Sequence, residues 1–350
     1  MIDRKKILLF RPDHIGDLLL TTPALYALRK AYPEAHLSIL VGSWAAALLK
    51  GNPDIDEIIV CDLPWLDRGP NPSWRPLLPI IRQIRSQKYD AILNFRIAAK
   101  AAAFSRLLGA KERWGFDIQK SRWAWTHTVP FSEEQHVVDN YMSLVKALGV
   151  ADKEEQHVGD KYMHLRGALG FSDVHFCIFP EEEDLSTVDE FMQNSPPAVV
   201  LGVTSGRIDK SWLPDRWAAV ADHLVECGFR ILFNGSPSEG TEIQAVQSHM
   251  NHKSESLVGR FSLLQFAGLL KKCAAIITLD SFPMHLAAAV RTPTIALMGA
   301  NSSQQWGPYP GKHPSIVVEP PPEIPRNDQA MKWIQINHVI DAFDRLSLQP

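Results

Sequence analysis

The sequence predicts an α/β protein of two domains, each built on a doubly wound parallel sheet, that face a shared cleft. Short apolar runs alternate with helical patterns along the chain, which is typical of parallel βαβ units. With 350 residues the chain is too long for one ordinary core and suits two α/β domains. In each half a polar turn follows an apolar run, at residues 11–17 and at residues 280–289. Ligands of open α/β sheets bind at such strand ends, so the sequence predicts one binding turn in each domain.

The first half contains four strand-like runs, at residues 7–10, 36–41, 57–61 and 91–95. Helical patterns follow the first two runs and precede the fourth. Pro23 lies inside the first pattern, so it either begins the main helix behind Thr22 or kinks it. Both arrangements leave Asp17 beside the end of the first strand. The proline-bearing residues 63–79 predict a long excursion from the sheet.

An acidic stretch with several prolines, residues 180–197, predicts the region of the domain boundary. Beyond it lies a second series of strand-like runs, at residues 198–203, 230–233, 257–259, 275–279, 294–298 and 315–318. Ser262 and Gln265 have capping-box spacing and predict a helix start. We predict domains at residues 1–180 and 196–325.

The last predicted segment, residues 326–350, contains a helix. Prolines at 320–322 and 325 stop the sheet pattern before it. Asn337 is a candidate cap, and an apolar stripe follows it, formed by Val339, Ile340, Phe343 and Leu346. Such a stripe needs a surface to cover.

The composition excludes several classes of function. A net charge of -3 provides no global attraction for nucleic acid, so no nucleic-acid partner is expected. The four cysteines are far apart without CxxC spacing, which favours buried reduced thiols. No secretory signal or membrane-spanning run is evident, so we expect a cytoplasmic protein, with peripheral contact with the inner membrane left open.

The first polar turn contains two candidate acids. Asp17, at a helix start, is suited equally to capping free backbone amides and to accepting a proton as a general base. Gly16 beside it permits a tight turn and the close approach of a ligand, which favours the catalytic role. For Asp13 we favour an ion pair with Arg11. His14 and Arg11 are also candidates to face an anionic acceptor.

Three strand ends in the second half carry residues suited to a nucleotide. Thr204, Ser205 and Lys210 could hold phosphate, although an isolated lysine is more often simply solvated. Glu239 suits a ribose and, equally, an ordinary helix start. The turn that holds Asp280, Ser281 and His285 runs into an alanine-rich helix whose free amides suit a pyrophosphate, with a core histidine as the alternative for His285.

Other chemistries lack their motifs. The chain contains no HExxH and no regular Cys/His set, so we predict no metal site. GxSxG is absent, which argues against an α/β-hydrolase. GxGxxG is absent from the first turn, which argues against a dinucleotide dehydrogenase.

Taken in order, several segments resemble glycosyltransferase family 9, the ADP-heptose:lipopolysaccharide heptosyltransferases and their relatives. The resemblance spans nearly the whole chain, and its order and spacing are more specific than any single piece. In the first half it rests on RPDHIGDLLLTTPALYALRKAYPEAHLSILV, GNPDIDEIIVCD, GAKERWGFD and HVVDNYMSLVKALG. In the second half it rests on KSWLPDRWAAVADHL, NGSPSE, LVGRFSLLQFAGLLKKCAAIITLDSFPMHLAAA and WGPYP.

This resemblance implies a GT-B fold, with the acceptor bound mainly by the first domain and the sugar nucleotide by the second. The last helix would pack back across the first domain. The implied activity is metal-independent, inverting transfer of a heptose or related sugar from an ADP-heptose-like co-substrate to a bacterial glycolipid or oligosaccharide. No other cofactor is implied.

The resemblance also implies roles for particular residues. Asp17 matches the catalytic base. Donor-binding positions are Thr204, Ser205 and Lys210 at phosphate, Glu239 at ribose, Phe261 at the base, Asp280 at the heptose, and Ser281, Met284 and His285 around the second turn. Candidates for acidic groups of the acceptor, inferred from charge and position near strand ends, are Arg11, His14, Arg96, Lys100 and Arg113.

One position departs from the family pattern, because Phe282 stands where relatives usually carry a glycine after Asp-Thr/Ser. A positive φ at this position would strain a phenylalanine. The departure motivates a second hypothesis, a noncatalytic sugar-nucleotide or glycan-binding protein. A nucleotide-sugar epimerase is a third, since related two-domain folds perform that chemistry.

Overall fold

The computed structural model describes residues 5–66, 75, 77–149, 176–311 and 313–348. Among these, the chain forms two compact units. The first contains residues 5–149 and 176–179, and the second begins at Pro180. Each unit has its own parallel sheet.

The first sheet has six strands in the order β3-β2-β1-β4-β5-β6, all parallel. The strands are β1 (Lys6–Phe10), β2 (His36–Val41), β3 (Glu57–Val60), β4 (Ala91–Asn94), β5 (Glu112–Phe116) and β6 (His127–Val129). The helices are α1 (Ile15–Ala31), α2 (Ser43–Ala46), α3 (Leu77–Gln87), α4 (Ala99–Leu108) and α5 (Val137–Ala147). Apart from Lys6 and Asn94 at their ends, the two central strands, β1 and β4, are apolar because both faces of a parallel sheet are covered.

This strand order places a topological switch point between β1 and β4. The connections from these two strands leave in opposite directions, so a crevice opens at their carboxyl ends. The turn at residues 11–14 follows β1 and the segment at residues 95–98 follows β4. Topology therefore brings the two segments together.

The second sheet repeats the plan, with the order β12-β11-β10-β7-β8-β9. Its strands are β7 (Ala198–Gly202), β8 (Arg230–Phe233), β9 (Glu255–Ser256), β10 (Ala275–Leu279), β11 (Thr294–Leu297) and β12 (Ser315–Val318). Its helices are α6 (Glu182–Met192), α7 (Pro214–Glu226), α8 (Gly240–Gln247), α9 (Leu263–Lys272), α10 (Phe282–Val290), α11 (Ser303–Trp306), α12 (Asp328–Trp333) and α13 (Ile336–Arg345). The equivalent switch point lies between β7 and β10.

Close packing at this second switch point requires a glycine. Gly202 ends β7 and lies beside Thr278 of β10. A Cβ atom at Gly202 would stand 2.3 Å from the Thr278 hydroxyl oxygen, too close for any residue with a side chain.

Most predicted strands match within one residue, and the differences have local causes. The two strands β5 and β6 were missed, because polar and aromatic residues interrupt their short runs. The strand predicted at residues 257–259 instead lies at Glu255–Ser256. Helix α1 runs from Ile15 and continues through Pro23, so the proline neither begins nor ends it.

The acidic stretch after Pro180 is the first turn of a helix. Glu181 is the N-cap of α6, and Asp184 completes a capping box with its backbone amide. Three acidic residues in the first turn stabilise the helix through a favourable interaction with its dipole. The capping box predicted at Ser262 and Gln265 is present at the start of α9.

The last helix packs in the second unit, which corrects the explanation we gave for its apolar stripe. Val339 and Phe343 lie in the core of this unit, and Trp212 donates a hydrogen bond to the Ile334 carbonyl at 2.9 Å. The stripe is therefore buried within the second unit. The cap also differs, since Gln335 precedes the first helical residue and Asn337 lies inside the helix.

No helix among the described residues is long and apolar enough to cross a bilayer. Three of the four cysteines are buried, as predicted, whereas Cys227 is exposed on the end of α7. Burial raises the pKa of Cys61 to about 11 and that of Cys273 to about 12, so both thiols stay protonated.

Removing the Phe343 side chain should destabilise the second unit. Its ring is 4% exposed and meets Phe229 edge-on at 5.3 Å. We expect Phe343→Ala to lower the free energy of unfolding by about 3–5 kcal/mol, measured by urea denaturation. Asp341→Ala, on the exposed face of the same helix, should change it by less than about 0.5 kcal/mol. Similar values for both variants would contradict the placement of this helix.

Candidate active site

The centre of the site in the first unit is the buried guanidinium of Arg11. It follows β1 directly and is only 3% exposed. Its Nη1 lies 3.1 Å from Asp13 Oδ2, and its Nη2 lies 2.8 Å from Asp17 Oδ1. It also donates to the carbonyl of Phe95 at 2.8 Å, which ties the end of β1 to the end of β4. The predicted Arg11–Asp13 pair is thus present, but Arg11 is too enclosed to face an acceptor directly, which corrects that expectation.

Asp13 joins two arginines. Its side chain is 2% exposed and forms ion pairs with both Arg11 and Arg96. Trp44 donates to the Asp13 backbone carbonyl at 2.8 Å and fixes the turn from the other side. A carboxylate this deeply buried is tolerated because two cations neutralise it.

Asp17 is held at one oxygen and open at the other. Its side chain is 22% exposed, and Oδ1 accepts the bond from Arg11. Among the described residues, Oδ2 makes no hydrogen bond, and no backbone amide donates to this carboxylate. The Asp17 carboxylate therefore pairs with Arg11 and does not cap the free amides of α1.

Arg96 is the cation of this group that solvent reaches. Its side chain is 28% exposed and follows β4, and its backbone amide donates to Asn94 Oδ1 at 2.7 Å. Burial and then the charge of Arg11 lower the pKa of the Arg96 guanidinium below its usual range. The residue remains charged near neutral pH and is suited to an acidic ligand group.

Sequence reasoning missed Tyr141. This residue of α5 is fully buried, and its hydroxyl oxygen accepts a hydrogen bond from Arg11 Nη2. The Arg11 guanidinium carbon also lies 4.8 Å from the centre of the Tyr141 ring. Burial raises the pKa of the Tyr141 phenol, so the hydroxyl stays protonated. No local sequence pattern identifies Tyr141 as a site residue, because it lies 130 residues beyond Arg11 in the chain.

The other acceptor candidates lie in two different places. His14 is exposed at the N-cap of α1, and Lys100 is exposed in the first turn of α4, both at the carboxyl edge of the sheet. Arg113 lies near the amino end of β5 instead. Its guanidinium donates to the carbonyls of Ala110 and Ala124, both at 2.9 Å, so the structure does not bring it to this edge.

In the second unit, Lys210 and Asp280 form the corresponding charged pair. Lys210 Nζ lies 2.7 Å from Asp280 Oδ2 and donates to the Asp280 carbonyl at 3.1 Å. Asn301, which sequence reasoning missed, donates to the same Oδ2 at 2.7 Å. The pair is nearly buried, with side-chain exposures of 12% and 6%. Lys210 is therefore not simply a solvated lysine.

Thr204 and Ser205 lie half-buried directly after β7, on the strand next to that of Asp280. The Ser205 hydroxyl donates to the Arg207 carbonyl at 3.0 Å and so shapes the turn. Gly206 has a φ of +64°, which this turn requires and which glycine adopts without strain. The turn presents small polar groups beside a lysine, as phosphate binding needs.

Phe282 fits its position without strain, which corrects the concern about a positive φ. It is the first residue of α10, behind Ser281 at the N-cap. Pro283 follows it, and proline has no backbone N–H to donate. Met284 is fully buried in a small cluster with Ala296 and Met298, so its side chain serves the core. His285 is 6% exposed on the same turn.

Two further donor candidates have structural contacts. Glu239 accepts hydrogen bonds from the Ser236 amide and hydroxyl, both at 2.7 Å, in a capping box, so the helix-start role is present. Phe261 is half-buried and meets Phe191 edge-on at 5.1 Å. The ribose and base contacts of these two residues stay predictions.

Among the described residues, no group of three or more His, Cys, Asp or Glu side chains is arranged to hold a metal ion. The charged groups at the two switch points are instead ion-paired Asp, Arg and Lys residues.

Comparisons with known proteins identify this architecture. The lipopolysaccharide core heptosyltransferase OpsX of Haemophilus influenzae is 23% identical to this chain, and the alignment covers 98% of this chain and 97% of OpsX. The solved family 9 glycosyl transferase of Veillonella parvula is 26% identical, with a TM-score of 0.82 over 99% of this chain and 98% of its own. The heptosyltransferase WaaC of Escherichia coli, solved with ADP-2-deoxy-2-fluoro heptose, has a TM-score of 0.71 at 21% identity over 97% and 99%.

The two parallel sheets of Rossmann strand order, each with a charged turn at its switch point, have the GT-B fold of the solved family 9 glycosyl transferase. The model of glycosyltransferase family 9 (heptosyltransferase) matches residues 77–333. The chain belongs to this family and is a glycosyltransferase.

Tyr141 should act on catalysis through Arg11. Tyr141→Phe removes the acceptor of one guanidinium donor and leaves that donor buried, which should cost about 1–3 kcal/mol of stability. We expect kcat to fall while the affinity for nucleotide is unchanged, measured by steady-state kinetics and calorimetry.

Tyr32→Phe is the matched control, since the Tyr32 hydroxyl is buried and donates to the Leu148 carbonyl at 2.8 Å. It should lower stability without lowering kcat. Equal effects of the two variants on kcat would show that Tyr141 has no positioning role.

Proposed function

We propose that this enzyme transfers a heptose, or a closely related sugar, from an ADP-heptose-like donor to the lipopolysaccharide core or a related glycan. The observation that carries the proposal is the state of Asp17, with one carboxylate oxygen anchored to a buried arginine and the other open. The names of the relatives support the sugar, and the WaaC structure was solved with an analogue of that donor.

In the proposed reaction, Asp17 Oδ2 accepts the proton of an acceptor hydroxyl. The hydroxyl oxygen attacks the anomeric carbon of the donor, and the bond from that carbon to the diphosphate breaks. Attack on the face opposite the leaving group inverts the anomeric centre. Arg11 keeps the carboxylate in place, and its two anionic neighbours keep Arg11 in place. Pre-positioning of this kind lowers the barrier without any further rearrangement.

The departing diphosphate needs compensating charge and hydrogen-bond donors. We assign this role to Lys210, with Thr204, Ser205 and the first turn of α10 behind Ser281. Support comes from their positions after the neighbouring strands β7 and β10. Asp280 holds Lys210 in place, and Asn301 holds Asp280. A phosphate would share the lysine with the carboxylate.

On the acceptor side, we assign Arg96, Lys100 and His14 to acidic groups of the glycan. All three follow β1 or β4 at the carboxyl edge of the first sheet. Arg96 is the best placed, because Asp13 fixes its guanidinium while part of it stays exposed. A lipid-linked acceptor would place the enzyme at the cytoplasmic face of the inner membrane.

Asp17→Asn tests the base directly. The amide cannot take up the proton, and we expect kcat to fall by about 10²–10⁴-fold, measured as release of ADP with product analysis. Donor affinity, measured by calorimetry, should be largely unchanged. Normal turnover by the variant would contradict the assignment of Asp17. Donor binding without turnover by the wild-type enzyme across a broad acceptor panel would favour a noncatalytic binding protein.

Lys210→Met should weaken binding of ADP and of the sugar nucleotide. Loss of one charge-assisted contact corresponds to an affinity about 10- to 100-fold lower, measured by calorimetry. Lys210→Arg, which keeps the charge beside Asp280, should retain more of the affinity. Lys253→Met removes an exposed lysine elsewhere in this unit and should have no effect. Unchanged ADP affinity in Lys210→Met would place the diphosphate elsewhere.

A further inference from the structure

Positive charge is concentrated in one part of this chain. Residues 77–127 contain ten Lys or Arg and three Asp or Glu, a net charge of +7. The rest of the chain carries -10, since the whole is -3. In an otherwise acidic protein, such a basic segment attracts anionic partners.

The fold brings this segment to one side of the first unit. Helices α3 and α4 contribute Ile84 and Phe104 to the same core cluster, so they cover the same face of the sheet. Their outward sides therefore share one surface. On α3 this side carries Leu78, Arg82 and Arg85, spaced one helical turn apart and all exposed.

The surface continues across α4 to the turn after β5. Arg85 donates to the Leu107 carbonyl at 3.2 Å, and Arg106 reaches the Trp123 carbonyl at 3.5 Å. Trp123 in turn donates to the Lys120 carbonyl at 3.2 Å. We call this the α3–α4 surface, and its exposed residues are Leu78, Arg82, Arg85, Lys100, Arg106, Leu107, Lys120 and Trp123.

Large apolar side chains stand among these cations. Leu78 is 54% exposed, Leu107 is 53% exposed and Trp123 is 57% exposed. Tryptophan is enriched where proteins meet the headgroup region of a bilayer, because its ring is apolar while its N–H is polar. Three exposed apolar groups between cations suit such a boundary better than they suit water.

The cations of this surface are largely uncompensated. Among the described residues, Arg82, Lys100, Arg106 and Lys120 form no ion pair. By contrast, Arg122 is paired with Asp117, and Lys111 lies 2.7 Å from Asp90 Oδ1. The surface charge is therefore available to external anions.

We propose that the α3–α4 surface docks the enzyme onto a bilayer that contains anionic phospholipids. Leu78, Leu107 and Trp123 enter the interfacial region, and the surrounding cations contact headgroup phosphates. The proposal rests on the proposed function for one point, the lipid-linked acceptor. Helix α4 begins beside Arg96 at the carboxyl edge, so Lys100 connects the docking surface with the acceptor residues. A membrane-bound acceptor would thus reach the site without leaving the bilayer surface.

Vesicle co-sedimentation tests the docking surface without any use of turnover. The full chain is mixed with vesicles of equimolar phosphatidylcholine and phosphatidylglycerol, or of phosphatidylcholine alone. We expect binding to the anionic vesicles only, and its loss as salt is raised. Arg82→Glu/Arg106→Glu should weaken binding at least about tenfold. Lys253→Glu/Arg345→Glu, which makes the same change in net charge in the second unit, should bind as the wild type does.

The apolar contribution has its own pair of variants. Trp123→Ala should weaken vesicle binding several-fold, whereas Val60→Ala, which truncates a 46% exposed residue on the edge strand β3, should not. Arg82→Gln/Arg106→Gln repeats the charge test without new acids, and a thermal melt checks that each variant is folded.

Three results would overturn the proposal. The first is equal binding to both vesicle types, and the second is an equal loss of binding in the two charge-reversal pairs. The third is binding to a soluble polyanion such as dextran sulfate as tight as to vesicles, with no effect of Trp123→Ala, which would indicate a general polyanion surface. Vesicle binding and the Asp17→Asn effect are measured separately, so docking can fail while the transferase proposal stands.

Discussion

The site in the first unit depends on one buried positive charge. Arg11 leaves β1 and is removed from solvent among two carboxylates, a backbone carbonyl and a phenol. Burying an unpaired guanidinium would be very costly, so Asp13 and Asp17 are needed to hold it in the fold. The same requirement restrains Asp17, because moving its anchored oxygen away would break one of the two ion pairs of Arg11. The charge that stabilises the turn and the group proposed for chemistry are thus parts of one network.

The two units place their charged groups by the same topological rule. In each sheet the strand order reverses between two central strands, and the segments that follow those strands meet. The first unit brings together Arg11, Asp17 and Arg96 in this way. The second brings together Lys210 and Asp280, with the turn at Thr204 on the neighbouring strand. A buried aspartate holds a cation in both units, Asp13 for Arg96 and Asp280 for Lys210. This arrangement keeps each cation in position before a ligand arrives, which reduces the entropy that binding must offset.

Much of this plan was predictable, and the failures have physical causes. Strands with unbroken apolar runs were found, while β5 and β6 were missed because polar and aromatic residues interrupt them. Asp17 and Asp280 were singled out because each lies in or close to the turn that follows a strand, and their roles stay predictions. Tyr141 and Asn301 were missed because they reach their partners across 130 and 21 residues of chain. Arg113 was misplaced because charge near a strand does not reveal which end of the strand carries it.

The sequence by itself determined the class of fold, the positions at which the strands end and the acids available at each turn. These features follow from local patterns of apolar and polar residues. Tertiary structure alone decided which of those groups pair with one another. Arg11 changed from a candidate acceptor ligand to the buried anchor of Asp17, and Phe282 from a strained residue to an ordinary first residue of a helix. It also decided that the final apolar stripe is buried in the second unit. Pairing and burial are set by distances across the fold, and only the folded chain defines those distances.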